Sequence, residues 1–411
     1  MISVRDALER VLDGLPRLGG EQVPIGAARG RVLATVVEAR RDVPHFRNSA
    51  MDGYAVVSAD VADAAPNRAV RLPVLETIGA GAVPTQPLRS GTAVRIMTGA
   101  PLPDGADAVV RVEDTSEAGD AVDIRASVPP GANVRHPGED MRAGDRVLEA
   151  GRTLRPADIG LLASLNLAGV RVTRRARVAI LSTGDELVEV GEPLGPGQIV
   201  NSNAYTLAAA VEEAGGEPIV MGIARDRPEL IRSAFAEAIT ADVVLSTGGV
   251  SVGSFDFVRS SLTELGYQER FWKVAQKPGK PLTFGLCGRV PVFGLPGNPV
   301  SSLVCFYLYV VPALRTMAGC DRVHLPTAAA TLVDTIKKVP GLTEFVRCSL
   351  EGSPDEYRAR STGTQSSGVL RSLSLGDGLI VGAAEADVLR AGARVRVVML
   401  SADTAAATPP F

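Results

Sequence analysis

Lysine is nearly missing from this chain: of 43 basic residues in 411, five are lysine and the rest arginine. Histidine is scarcer still, with His45, His136 and His324 scattered, which argues against a histidine-rich zinc site. Four cysteines, Cys287, Cys305, Cys320 and Cys348, show no paired metal spacing and read as reduced core residues of a cytosolic protein. Aromatics are only 4%, so the cores must be built from Val, Leu, Ile and Ala. A net charge of -3 argues against a general nucleic-acid binder, which would be clearly basic. No Gly-x-x-x-x-Gly-Lys-Ser/Thr occurs, which excludes a P-loop enzyme. The first residues lack a signal-peptide pattern, and a cytoplasmic protein is expected. The most apolar run, residues 300–314, carries Ser301, Ser302 and Pro312; it is expected to be too short for a membrane span and to form a buried helix.

The length predicts several domains, and 45% hydrophobic content is enough for real cores. Residues 4–12 read as a short amphipathic helix, and residues 30–40 as another with Leu33, Val36 and Val37 inward. From Met51 to about Asp145 the chain is rich in Gly and Pro with short β-like runs, Ala93-Val94-Arg95-Ile96-Met97 among them, so a small β domain is expected. Residues 155–167 look helical, with Pro156 near the start. From Arg177 strands and helices alternate. Val178-Ala179-Ile180-Leu181, residues 218–221, Asp242-Val243-Val244-Leu245 and residues 290–293 read as strands. Asn203 and Asp226 are expected to cap intervening helices. Such alternation predicts an α/β fold with a doubly wound, mostly parallel sheet covered on both faces. After about Cys320 β runs return, suggesting a small C-terminal β domain of barrel type.

Three of the five lysines, Lys273, Lys277 and Lys280, fall within eight residues, in a loop stiffened by Pro278, Gly279 and Pro281. Lysine is a compact, rotatable point charge, suited to a small tetrahedral oxyanion. A solvated basic loop is the bland alternative. Ligands of open α/β sheets bind beyond the carboxyl ends of the strands. Two Gly-rich loops lie there: Thr247-Gly248-Gly249-Val250-Ser251-Val252-Gly253, and Gly294-Leu295-Pro296-Gly297-Asn298-Pro299, which opens a helix. Each alone could be an ordinary turn. Asp185, Glu186, Asp226 and Asp256 occupy comparable strand-end positions. Singly each reads as a cap or a surface acid; together, beside the glycine loops and the lysines, they suggest a Mg²⁺-assisted phosphate site. Asn48-Ser49-Ala50-Met51-Asp52-Gly53-Tyr54-Ala55 and Gly138-Glu139-Asp140 bracket the β domain, with turn chemistry as their simplest explanation.

In this order, these motifs, with Arg95-Ile96-Met97-Thr98-Gly99-Ala100 and Ser182-Thr183-Gly184-Asp185-Glu186-Leu187, resemble the molybdopterin molybdenumtransferase family, which includes the bacterial molybdenum-insertion enzyme and the C-terminal domain of gephyrin. The resemblance spans most of the chain and weakens after Cys320. It implies insertion of molybdate into adenylylated molybdopterin with release of AMP, assisted by a divalent cation, usually Mg²⁺. It implies Lys277 and Lys280 as molybdate ligands beside Lys273, aided by Arg347 and by Ser367 or Ser366. Asp226, Asp256 and Glu186 would hold the cation. Thr183, Gly248, Gly249, Ser251, Gly253, Pro296, Gly297, Asn298 and Pro299 would cradle the pterin nucleotide. Asp52, Thr98 and Asp140 on the β domain would act across the interface of an elongated homodimer. Implied domains are 1–45 with 145–175 (dimerisation), 46–144 (inserted β), 176–320 (α/β) and 321–411 (β-barrel).

Two other readings stand beside this one. A molybdopterin adenylyltransferase or a nucleotide pyrophosphatase of the competence-damage type uses the same α/β domain, but usually without the flanking domains. A non-enzymatic scaffold could lose the lysines and acids without penalty. No nucleic-acid or membrane partner is expected.

Overall fold

Strand Arg177–Thr183 is buried along nearly its whole length, as a strand covered on both faces must be. Its residues alternate: Val178 and Ile180 face one core, Ala179 and Leu181 the other. A computed structural model describes residues 1–248, 254–353 and 356–400, with backbone alone at 254–257. Among the described residues, six strands form the central sheet, in spatial order Glu217–Ala224, Arg177–Thr183, Val243–Thr247, Val290–Leu295, Thr283–Cys287 and Tyr267–Trp272. The first four run parallel and the last two antiparallel. Helices Ser202–Glu213 and Pro299–Cys305 cover one face, and Pro228–Ala238 and Ser254–Glu264 the other. The doubly wound, mostly parallel sheet is as expected. Its antiparallel edge was not read from the sequence, because Gln268, Glu269 and Arg270 interrupt the apolar signal there.

Several expectations need correction. The apolar run belongs to a helical stretch from Pro299 to Ala318, 20 residues and thus long enough to cross a bilayer; 78% of its most apolar window is nevertheless buried inside the protein, so it is a core helix. Asn203 lies inside helix Ser202–Glu213, whose cap position is Asn201. Arg227, not Asp226, precedes helix Pro228–Ala238. Asp256 sits within helix Ser254–Glu264 rather than in a strand-end loop.

Helix Val4–Leu12 forms as expected, closed by a Ser3/Asp6 capping box. It buries Ala7 and Val11 in the α/β core rather than in a separate first domain. The remainder of the N-terminal segment joins the later one: Gly20–Pro24 pairs with Gly169–Thr173, and Val37–Glu38 with Arg146–Leu148. Residues 30–40 are therefore extended, not helical. Thr35, Val36 and Val37 are consecutive β-branched residues, which favour strands. Leu33 and Val37 do point inward. Helix Pro156–Ser164 matches its prediction.

The inserted β domain carries a sheet in the order Ala108–Arg111, Gly53–Val56, Ala93–Ile96, Val70–Ile78, Ala121–Ile124 and Thr115–Ala118. The C-terminal domain closes on itself: Thr343–Glu351, Arg358–Ser361, Thr327–Leu332, Arg394–Met399 and Gly378–Gly382 pair in turn, and the last returns to the first. A closed barrel leaves no sheet edge to aggregate. Gln276–Lys277 of the lysine loop pairs parallel to Thr343–Glu344, tying the α/β domain to the barrel. The cysteines are free, three buried and Cys320 half-buried.

Candidate functional site

Three adjacent parallel strands end at Thr183, Thr247 and Leu295, and their loops converge. Gly248 has φ +85°, and a Cβ there would collide with the Thr183 carbonyl oxygen, so only glycine fits. Beneath the loops a buried polar chain fixes the strand ends. Thr247 Oγ1 donates to Ser182 Oγ at 3.3 Å, and Ser182 Oγ donates to Asn201 Oδ1 at 2.8 Å. Thr183 Oγ1 donates to the Thr247 carbonyl at 3.4 Å. Asn203 Nδ2 donates to the Gly297 carbonyl at 2.8 Å, pinning the second glycine loop to the neighbouring helix.

Between these loops lies a cleft of about 600 Å³, the size of a nucleotide-class pocket. Thr183, Glu186, Gly248, Lys273 and residues 296–299 line it, as do Asn201, Asn203 and Trp272. Lys273 Nζ stands 3.9 Å from the Trp272 ring centroid, a cation–π contact that fixes the ammonium at the rim. Lys273 has φ +70°, uncommon for a residue with a Cβ and costing about 1 kcal/mol.

The structure divides the lysine cluster. Lys273 lines the cleft, whereas Lys277 and Lys280 do not. Lys277 Nζ lies 3.5 Å from Glu344 Oε1 of the barrel. Lys280 is exposed and makes no ion pair among the described residues. Their loop rests on Gln276, which is fully buried. Gln276 Nε2 donates to the Pro278 carbonyl at 3.1 Å, and its Oε1 accepts from the Tyr309 hydroxyl.

The acids also gather. The Asp226 N–H donates to Asp185 Oδ1 at 3.2 Å, and Arg225 Nη1 donates to the carbonyls of Asp185 and Leu187, both at 3.0 Å. Asp226 Oδ1 is buried with no partner among the described residues. Burial, then the Asp185 and Glu186 carboxylates, push the Asp226 carboxyl above its usual range. No set of three His, Cys, Asp or Glu side chains is preassembled for a metal among the described residues. The Asp256 side chain, and Gly249, Ser251 and Gly253 entirely, lie outside them.

Arg347 is buried, and its guanidinium is occupied within the chain. It donates to Ser372 Oγ at 3.0 Å and to the carbonyls of Thr364, Gln365 and Ser366 at 3.0–3.3 Å. It thus shapes the loop bearing Ser366 and Ser367, and the Ser367 carbonyl accepts from the Val300 N–H at 3.2 Å, beside Pro299. On the β domain, Thr98 donates its N–H and hydroxyl to Asp52 Oδ1, at 2.6 and 2.7 Å, which holds the Asp52 carboxyl below its usual range. Asp140 is exposed and follows Gly138, φ +71°. Asp52, Thr98 and Asp140 do not line the cleft of their own chain.

Sequence reasoning missed Asn203, Trp272 and Gln276. An asparagine at the start of a helix favours the cap position, which hides the role of Asn203, and Gln276 sits unmarked between Ala275 and Lys277.

Residues 2–166 match a family model described as the MoeA N-terminal region (domain I and II), residues 179–316 a probable molybdopterin binding domain, and residues 329–400 the MoeA C-terminal region (domain IV). The chain is 40% identical over 364 residues to a molybdopterin molybdenumtransferase 2 of Mycobacterium tuberculosis, covering 87% of this chain and 89% of that protein. It is 35% identical over 413 residues to the molybdopterin molybdenumtransferase of Bacillus subtilis, covering 99% and 96%. A crystal structure of the molybdopterin biosynthesis protein moeA from Pyrococcus horikoshii superimposes with a TM-score of 0.85 at 32% identity, covering 97% of this chain and 100% of that one.

Proposed function

This chain belongs to the molybdopterin molybdenumtransferase family of molybdenum-inserting enzymes, and from that premise we propose that its cleft takes adenylylated molybdopterin and molybdate, yielding molybdenum cofactor and AMP. The observation that carries this reading is the convergence of Thr183, Gly248, residues 296–299, Glu186 and Lys273 on one cleft at the carboxyl ends of parallel strands.

The backbone at Gly248 and Gly297 approaches the pterin nucleotide closely, as only glycine permits. Lys273 holds anionic oxygen at the rim. Lys277 and Lys280, on the same stiff loop, draw in molybdate as point charges, and the loop of Ser366 and Ser367, braced by Arg347, borders the same region. Asp226, Glu186 and Asp256 hold a divalent cation, Mg²⁺ for choice. The orphaned, buried Asp226 Oδ1 and the crowding of Asp185 and Glu186 around it fit such an ion. When bound, the ion offsets charge on the phosphoanhydride oxygens.

Asp52, Thr98 and Asp140 complete the site from a second copy of the chain in a homodimer, a reading supported by their not lining the cleft of their own chain. The enzyme works in the cytoplasm. An adenylyltransferase or a purely structural scaffold is not favoured, because whole-length relatives are named as molybdenumtransferases. Equilibrium binding of adenylylated molybdopterin tests the seat: Asn203→Ala, which frees Gly297, should weaken it about tenfold, and unchanged affinity would remove this cleft as the pterin site.

A further inference from the structure

A second cavity, of about 480 Å³, lies where the N-terminal region meets the α/β domain. Its walls are lined with arginine. Three of these are neutralised within the chain: Arg31 by Glu21, Arg152 by Asp158 at 2.8 Å, and Arg174 by Asp242 at 2.6 Å. Four are not. The side chains of Arg175 and Arg322 have no hydrogen-bond or ion-pair partner among the described residues. Among the described residues the Arg315 side chain donates to the His324 carbonyl alone, at 3.0 Å. Arg155 stands 3.9 Å from an Asp158 already bound to Arg152. Against these four the cavity offers two carboxylates with no ion pair among the described residues, Glu213 and Asp321, which leaves an excess of two positive charges. The Arg152 Nε–H is also buried without an acceptor among the described residues.

Helix capping does not account for the cluster. Helices Ser202–Glu213 and Val311–Ala318 both end at this cavity, but backbone N–H groups already satisfy their last turns, Gly216 on Val211 and Cys320 on Arg315, and Arg17 covers Thr316. The arginines therefore face solvent-accessible volume, with planar forks suited to phosphate oxygens.

We propose that this cavity binds a compact polyphosphate anion, distinct from the ligands of the catalytic cleft. Arg152, Arg155 and Arg175 contribute from the N-terminal region, Arg315 from the last helix of the α/β domain and Arg322 from the segment just after it, so the anion bridges the N-terminal and α/β regions. Binding should then stabilise the folded protein by mass action and weaken with salt.

The test is calorimetric titration of the intact protein with inorganic tripolyphosphate and, in parallel, ATP, at low and physiological salt. The expected result is saturable one-to-one binding that falls at least about tenfold in Arg175→Ala/Arg322→Ala and is unchanged in Lys273→Ala. Tighter binding of ATP would add a nucleoside contact to the same site; equal binding would assign recognition to the phosphates alone. The double variant alters two exposed side chains and should keep wild-type molybdenum insertion, which reports its fold. No saturable binding, or binding lost in Lys273→Ala and retained in the double variant, would overturn the proposal.

Discussion

Asp226 donates its backbone N–H to Asp185 Oδ1 at 3.2 Å while its own Oδ1 lies buried without a donor among the described residues. Two carboxylates are thus drawn together by a backbone bond, and one of them is left electrostatically unsatisfied. A carboxyl in that setting favours its proton, and a cation is what reverses the preference.

The direction of the pH effect follows. The folded-state pKa of Asp226 is raised, so between the ordinary carboxylate value and the raised one the folded state binds more protons than the unfolded state. Its contribution therefore favours folding at low pH and is lost as pH rises through that window. Asp226→Asn should raise the thermal midpoint of the metal-free protein at neutral pH and abolish its increase on adding Mg²⁺. In the wild type, the Mg²⁺-induced increase should shrink as the medium is acidified into the carboxylate range. A Mg²⁺ response that survives in Asp226→Asn would remove this residue from the cation site.

Lys277→Ala should raise the KM for molybdate by about tenfold or more, roughly 1.4 kcal/mol, with little change in pterin affinity. It also leaves Glu344 without its cation, although the Val339 N–H still donates to that carboxylate at 2.7 Å, so the barrel should remain folded. Steady-state kinetics at varied molybdate decides it; an unaltered KM would assign Lys277 to the barrel contact alone.

Gln276→Leu should destabilise the protein by about 2 kcal/mol, because the Tyr309 hydroxyl and the Pro278 carbonyl lose their partners in a dry interior. Urea unfolding measures this. Gly248→Ala should cost a similar amount, about 2 kcal/mol, since φ +85° and the Thr183 carbonyl both oppose a side chain. That variant should also lose pterin-nucleotide affinity.

Much of this was legible from the sequence where local chemistry decides structure. Val178 to Leu181 reads as a buried strand, and Gly248 and Gly297 mark the loops beyond the carboxyl ends of its sheet neighbours Val243–Thr247 and Val290–Leu295. Residues 30–40 misled because Leu33 and Val37 face inward at a spacing a helix also allows, while strand partners over a hundred residues away decide the outcome. Asn203 and Gln276 were missed for a related reason. Their roles depend on Gly297 and Tyr309, distant in sequence, and an amide side chain carries no local sign of what it will meet.

Subunit exchange tests whether Asp52 acts across an interface. Asp52→Ala and Lys273→Ala should each be inactive alone. If the site is shared, random reassortment makes half the dimers mixed, each with one intact site, and restores about a quarter of wild-type activity. No restoration would place Asp52 and Lys273 in the same subunit's site.

The most direct measurement is AMP release from adenylylated molybdopterin, with molybdate and Mg²⁺ each present or withheld. Release that requires both, accompanied by cofactor able to activate an apo-molybdoenzyme, is the predicted result. A protein that binds the pterin nucleotide yet releases no AMP under any of these conditions would contradict molybdate insertion at this cleft.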